Sequence, residues 1–268
     1  MWEKEGHVFG GLLSKVLKRS ISQALAVLGY QITKLPKLPS CPLPTLDFEQ
    51  FMAGLLIYAN RKDFFFVQIG ANDGIMSDPL YSNVSTYSLH GLVIEPQKAV
   101  FQQLQQNYAA NNNLIFSNVA IARSPGTKTL YKVVPEVVER YALFSGCASF
   151  DLAHLLKALK SHSKRLSLTS PFEKYVEVEE VETLPLMDLL QQHNITKVDL
   201  LQIDVEGHEG EVLKTINFDK IHPNVINFEH QHLSTHARDE ANTFLDEHGY
   251  SFFCHGGNTC AYLMTTIP

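Results

Sequence analysis

Between residues 64 and 228 the chain passes repeatedly from a short, mostly apolar run into a segment with helical spacing, and few folds accommodate that alternation. Phe64-Phe65-Phe66-Val67-Gln68-Ile69 stops at Gly70, and Gly91-Leu92-Val93-Ile94 stops at Glu95 and Pro96. Leu114-Ile115-Phe116, Asp199-Leu200-Leu201-Gln202-Ile203 and Val225-Ile226-Asn227-Phe228 complete the set. A run apolar at nearly every position, rather than at every second one, belongs to a strand buried on both faces. After the second run, Val100, Phe101, Leu104 and Tyr108 share one helical face. Val212, Leu213 and Ile216 do so after the fourth, and Ala237, Ala241, Phe244 and Leu245 after the fifth. Five strands with helical crossovers predict an α/β fold, a mainly parallel sheet covered by helices on both sides. A helix over residues 47–59 precedes it. Tyr250 to Cys254 and Cys260 to Met264 flank Gly256-Gly257-Asn258, which reads as a terminal antiparallel hairpin and brings the sheet to seven strands. A chain of 268 residues that is 45% hydrophobic suits one such domain with a short appendage.

Two stretches fall outside the alternation. About 80 residues separate the third and fourth parallel strands, more than a crossover needs. Thr127 to Val134 is an expected extra strand, Leu152, Leu155, Leu156 and Leu159 mark a short amphipathic helix, and Ser161 to Ser170 is polar and basic. Val176 and Val178 alternate with Glu177 and Glu179 in another strand. This insertion is either a substrate lid or a structural embellishment. At the other end, Phe9, Leu12, Leu13, Val16, Leu17, Ile21, Ala24, Leu25 and Leu28 recur at helical spacing, with Lys15, Lys18 and Arg19 opposite. A helix of this kind over residues 8–28 packs on its own domain or a second subunit, or lies on an anionic membrane face. Pro36, Pro39, Pro42 and Pro44 then stop it, so residues 1–45 form a helix with a linker and 46–268 the main domain.

A net charge of -6 without a long basic run disfavours a nucleic-acid partner. The four cysteines show neither C-x-x-C pairing nor zinc-ligand spacing and read as reduced thiols. No apolar run reaches the roughly 18 residues that span a bilayer, and the first residues lack a signal peptide's basic region. A cytoplasmic protein is expected, with peripheral contact at the inner membrane face as the variant that residues 8–28 allow.

Charge and glycine gather at the ends of the apolar runs. Gly70-Ala71-Asn72-Asp73-Gly74 follows the first, where small residues admit a close ligand and a helix N-terminus offers N–H groups to a carboxylate. Glu95 ends the second run, 25 residues after Gly70, where a carboxylate accepts hydrogen bonds from two ribose hydroxyls. Asn118-Val119-Ala120 ends the third, beside the place of a bound base in such a topology. Asp204-Val205-Glu206-Gly207-His208-Glu209 follows the fourth. Its Asp204 and Glu206 are expected to open a helix, where they hold an ammonium group or serve as an N-cap.

Together these segments, with Ser145-Gly146-Cys147-Ala148-Ser149 and Asn227-Phe228-Glu229-His230, resemble the FkbM family of methyltransferases over roughly residues 62–254. The Asp-Val-Glu-Gly segment is the most specific element. The resemblance implies a Rossmann-like class I methyltransferase fold. It also implies S-adenosylmethionine as cofactor, at Gly70, Ala71, Asn72, Asp73, Glu95, Asn118, Ala120, Asp204 and Glu206. The implied acceptor is a hydroxyl of a sugar, a glycan or another small molecule. Cys147 and His208 gain no role from it.

An alcohol is a poor nucleophile at neutral pH, so a base or a metal is expected beside it. His230, oriented by Glu229, is the candidate base and His208 the second. Alternatively Asp204, Glu229 and His230 hold Mg²⁺. Two rival readings differ in class. A scaffold for glycan assembly keeps the fold without binding the cofactor. An NAD-dependent oxidoreductase is disfavoured because Asn72 occupies the second glycine position of G-x-G-x-x-G.

Overall fold

The computed structural model describes residues 47–58 and 62–264. The helix expected over 8–28 and the proline-rich linker lie outside them. Among the described residues, no helix is long and apolar enough to cross a membrane.

The chain enters through α1 (Phe48–Tyr58), followed by β1 (Phe65–Ile69), α2 (Tyr81–Tyr87), β2 (His90–Ile94), α3 (Lys98–Asn107) and β3 (Leu114–Ser117). β4 (Ala120–Ile121) and β5 (Gly126–Val133) open the insertion; α4 (Pro135–Val138), α5 (Leu152–Leu166) and β6 (Val176–Leu184) complete it. Then come α6 (Leu186–Gln192), β7 (Leu200–Ile203), α7 (Glu209–Leu213), β8 (Val225–Glu229), α8 (Thr235–Glu247), β9 (Tyr250–His255) and β10 (Asn258–Leu263). Seven of the strands form one sheet in the order β3-β2-β1-β7-β8-β10-β9. The first five in that order are parallel, and the terminal hairpin is antiparallel to β8. This is the expected seven-stranded class I methyltransferase topology.

The period of two along each strand sorts its side chains onto two cores. Val67, Ile69, Ile94, Ile203 and Phe228 pack with Leu189 of α6, Val212 of α7 and Leu245 of α8. Phe66, Val93, Leu200 and Val225 pack on the other face with Met52 of α1, Val84 of α2 and Leu104 of α3. Each such side chain contributes about 1.5–3 kcal/mol on burial, which is why the runs are mostly apolar; of the buried polar residues they carry, Asn227 donates its amide to Gln202 Oε1 at 2.6 Å.

Some boundaries differ from expectation. α2 and α6, of seven residues each, are helices beyond those expected, and α6 buries Leu186, Leu189 and Leu190 on one face. α7 begins at Glu209 with His208 at its N-cap, so Asp204 and Glu206 neither open nor cap a helix. Ile216 lies beyond the end of α7 but is still buried in the same core. α5 runs on to Leu166 and absorbs part of the polar, basic stretch, which forms its exposed side.

The insertion is a small unit with its own sheet. β5 and β6 pair antiparallel over their length, from Gly126↔Thr183 to Val133↔Val176, and β4 pairs with β6 in parallel. Leu155, Leu159 and Leu166 of α5 pack on Val133, Val137 and Phe144. The Asp151 carboxylate accepts from the Ala153 N–H at 2.8 Å, which starts α5 and fixes His154 in its first turn.

Candidate active site

The strands around the centre of the main sheet end level. Ile69 pairs with Ile94 on one side and Ile203 on the other, and Ile203 pairs with Phe228. The next residues therefore form a row along the C-terminal edge, in the order Glu95, Gly70, Asp204, Glu229. The chain winds outward from β1 in both directions, so this row spans the switch point at which α/β sheets open a crevice. A cavity of about 540 Å³ lies over it, within the range of small-molecule sites. Gly70 has φ 77°, and a Cβ on it would overlap the Asp204 carbonyl. Glycine alone lets the two segments pass there.

Glu95 is buried and fastens the β1 loop to the β2 exit. Its Oε2 accepts from the Asn72 N–H at 3.0 Å and its Oε1 from the Gln97 N–H at 2.9 Å. Burial outweighs these bonds and pushes its carboxyl up to about 7. The N–H groups of Gly70 and Ala71 both donate to the Ile94 carbonyl, at 3.0 Å. No helix starts at this loop either, since α2 begins at Tyr81. The expected set of backbone donors for a carboxylate is therefore already used by the protein at these three residues. What the loop offers the cavity is a close backbone approach and the Asn72 side chain, whose buried Oδ1 has no hydrogen-bond partner.

Two predicted residues turn out to serve local structure. Asp73 accepts from the N–H groups of Ile75 and Met76 at 2.9 and 2.8 Å, closing a turn outside the cavity lining. Asn118 donates its side-chain amide to the carbonyls of Glu95 and Pro96, at 2.8 and 2.9 Å, and faces away from the cavity. Asn118 thus buttresses the Glu95 turn, while Val119, Ala120 and Ile121 supply a buried apolar wall. Asp78, which sequence reasoning passed over, lines the cavity. Its carboxyl is pushed up to about 6 by burial, against hydrogen bonds from the Leu80 N–H, Gln68 and Tyr108.

After β7 the chain makes a tight loop around a buried acid. Glu209 Oε1 accepts from the N–H groups of Val205 and Gly207, at 3.0 and 3.2 Å. Glu206 sits at φ 52°, a left-handed conformation that a non-glycine residue adopts only when its surroundings hold it. Ser149 Oγ donates to its carbonyl at 3.0 Å, tying it to the insertion. These constraints aim the Glu206 carboxylate into the cavity beside His154, whose Nε2 lies 3.4 Å from Glu206 Oε2. That pair raises the His154 imidazole. Gly207 leaves room for the same ring, which a Cβ would approach to 3.4 Å.

The β8 end divides the predicted catalytic residues. Glu229 faces the cavity with Asp204, and both carboxyls are held well above the usual range, by burial first and then by repulsion from neighbouring carboxylates. His230, one residue on, points the other way. Its Nδ1 lies 2.9 Å from Thr259 Oγ1 of β10, its N–H donates to the Gly257 carbonyl, and it is not among the lining residues. The expectation of His230 as base, or as a Mg²⁺ ligand with Asp204 and Glu229, is therefore corrected: successive residues of an extended chain face opposite sides. Gln231 and His232 return to the cavity, with His232 Nε2 3.7 Å from both Glu206 Oε2 and Glu229 Oε2. His208 also lines it, edge-on to Phe150 at 5.6 Å between centroids, with its imidazole lowered by burial and then by Lys128. His154 and His232 carried no local motif. Only the insertion's path and the β8 exit bring them to Glu206.

A family model described as a methyltransferase FkbM domain matches residues 68–252. Among solved structures, the FkbM methyltransferase of Methylobacillus flagellatus KT is similar at 14% identity and a TM-score of 0.43. The likeness covers 74% of this chain and 43% of that one, so the chain spans less than half of that relative's length. The N-terminal domain of human METTL16, in complex with SAH, is similar at 12% identity and a TM-score of 0.39 over 87% of this chain and 76% of that one. No curated protein matches. The family match runs from β1 into β9, through every strand end that borders the cavity, and the chain belongs to the FkbM family of S-adenosylmethionine-dependent methyltransferases.

Proposed function

We propose that the chain transfers a methyl group from S-adenosylmethionine to a hydroxyl of a sugar, a glycan or another small molecule. The observation that carries this reading is the continuity of one cavity. It joins the Glu95–Gly70–Asp204 edge to the polar side chains of Glu206, His154 and His232. The edge fits the cofactor. Glu95 keeps lone pairs for two ribose hydroxyls beyond its two backbone bonds. Asp78, Asp204 and Glu229 crowd carboxyl groups that a sulfonium and an ammonium relieve of repulsion. Val119 and Ala120 offer an apolar surface to a base.

Bound there, the cofactor supplies an electrophilic methyl group. The chain's own residues do the rest. Gly70 and Ala71 allow close approach, Asn72 and Glu95 orient, and the insertion wall of Phe144, Cys147 and Phe150 limits water over the reacting atoms. Glu206 and the two imidazoles receive the acceptor hydroxyl, with His208 at the rim.

Calorimetry with S-adenosylhomocysteine tests the cofactor half of the reading. Transfer from labelled S-adenosylmethionine across glycans, nucleotide sugars and polyketide alcohols tests the acceptor half. A chain that binds no S-adenosylhomocysteine is the scaffold reading, and the proposal fails. For the N-terminal region we propose an attachment role apart from catalysis. Deleting residues 1–40, which precede α1, leaves S-adenosylhomocysteine binding intact and abolishes sedimentation with anionic vesicles or association with a second subunit. Loss of folding on deletion excludes that division.

A further inference from the structure

At the acceptor end of the cavity two imidazoles and a carboxylate from three separate parts of the chain converge. His154 comes from the first turn of α5 and Glu206 from the loop after β7; His232 comes from the chain leaving β8. Their ligand atoms all lie within 4.8 Å of one another. Measured to Glu206 Oε2, His154 Nε2 is at 3.4 Å and His232 Nε2 at 3.7 Å. Donors at about 2.1 Å from a tetrahedral ion stand about 3.4 Å apart, so both imidazoles already stand within a few tenths of an ångström of that spacing from Glu206, and the two rings' ligand atoms lie no more than 4.8 Å from each other. The two rings are perpendicular, with centroids 5.0 Å apart.

A second observation points to the same place. Glu229 is 8% exposed, and its Oε2 is buried without a hydrogen-bond partner, a costly state for a carboxylate oxygen. That oxygen stands 3.7 Å from His232 Nε2. The exposed side chain of Gln231 donates to Glu229 Oε1 and also sits 3.2 Å from His232 Nε2, a position a cation can take from it.

We infer that His154, Glu206 and His232 form a binding site for a divalent transition cation of the Zn²⁺ class, with Glu229 as its polar neighbour. Two imidazoles with one carboxylate select this class over Mg²⁺ and Ca²⁺, which prefer oxygen donors. The site rests on the methyltransferase reading for its purpose. It lies where an acceptor oxygen must be held, and a cation there increases the acidity of a hydroxyl. In the transfer the hydroxyl proton passes to a carboxylate or to water. The oxygen–methyl bond forms as the sulfur–methyl bond breaks, and that bond's electron pair stays on sulfur.

The test uses tag-free full-length protein stripped with EDTA and titrated with Zn²⁺ against a chromophoric chelator, and with Co²⁺ by its visible absorption. One Zn²⁺ per chain is expected, with a Co²⁺ spectrum of tetrahedral or five-coordinate type. His154→Ala and His232→Ala should each weaken Zn²⁺ by more than about 100-fold, beyond the effect of an outer-shell loss. Glu206→Gln should do the same, and circular dichroism checks that each variant is folded. Wild type that binds no Zn²⁺, or variants that bind it as tightly as wild type, overturn the site. Binding of S-adenosylhomocysteine by the stripped protein is measured alongside. If it persists while Zn²⁺ fails, only the cation site falls; if it is absent as well, the methyltransferase reading fails too.

Discussion

Replacing Glu95 by alanine removes one side chain with two separable duties. In the ligand-free protein its carboxylate takes the N–H groups of Asn72 and Gln97, at 3.0 and 2.9 Å. Gln97 is buried, so neither water nor another group readily replaces the lost acceptor. Each orphaned donor costs about 1–3 kcal/mol. A total of about 2–6 kcal/mol lowers Tm by about 4–24 °C in a domain of this size. The second duty is cofactor binding, where loss of hydrogen bonds to a charged group costs a further 1–3 kcal/mol or about 5- to 150-fold in Kd. Calorimetry with S-adenosylhomocysteine reads the second effect and thermal unfolding the first. Glu95→Gln keeps one acceptor oxygen and falls between wild type and alanine in both. Burial holds the Glu95 carboxyl at about 7, and the ionised form is the one that accepts from two hydroxyls. Cofactor affinity therefore falls as pH drops below about 7, and Glu95→Gln makes the slope shallower by up to about tenfold per unit, leaving the part due to Asp78, Asp204 and Glu229. A folded Glu95→Ala protein that binds S-adenosylhomocysteine within about twofold of wild type would refute the assignment of the ribose site.

Gly70→Ala places a Cβ on the Asp204 carbonyl at a φ of 77°, so stability falls by more than about 1–2 kcal/mol and cofactor binding is lost; denaturant unfolding and calorimetry check both. His230→Ala removes the contact with Thr259, which costs about 1 kcal/mol of stability and leaves turnover within about threefold of wild type, because this imidazole faces away from the cavity; a loss of 10²–10⁴-fold, the scale of a missing general base, contradicts the orientation. The ligand-free protein should lose stability between about pH 5 and about pH 8, read by urea unfolding. Asp78 and Glu95 hold carboxyls raised to about 6 and about 7. Their contribution is complete below the unfolded values and disappears as pH rises through the folded ones, and stability that increases across this range opposes the sign.

The sheet was legible in the sequence because its information is local. A parallel strand buried on both faces must be apolar at nearly every position, and Phe64 to Ile69, Gly91 to Ile94 and Leu200 to Ile203 meet that requirement without reference to anything distant. The residue that ends such a run stands at the sheet edge, so Gly70, Glu95 and Asp204 could be assigned to one rim. The direction of a polar side chain at that rim is decided by tertiary packing. Glu229 and His230 are neighbours in sequence, yet the pairing of β8 with β10 turns the first to the cavity and the second to Thr259. Asp73 and Asn118 carry the residue types of a binding site, but nearby backbone groups claim them first. His154 reaches Glu206 across 52 residues of sequence because an inserted sheet carries α5 back over the rim. Burial leaves a periodic pattern along the chain, whereas a meeting of polar groups from three loops leaves none, since each obeys only the geometry that the assembled sheet imposes.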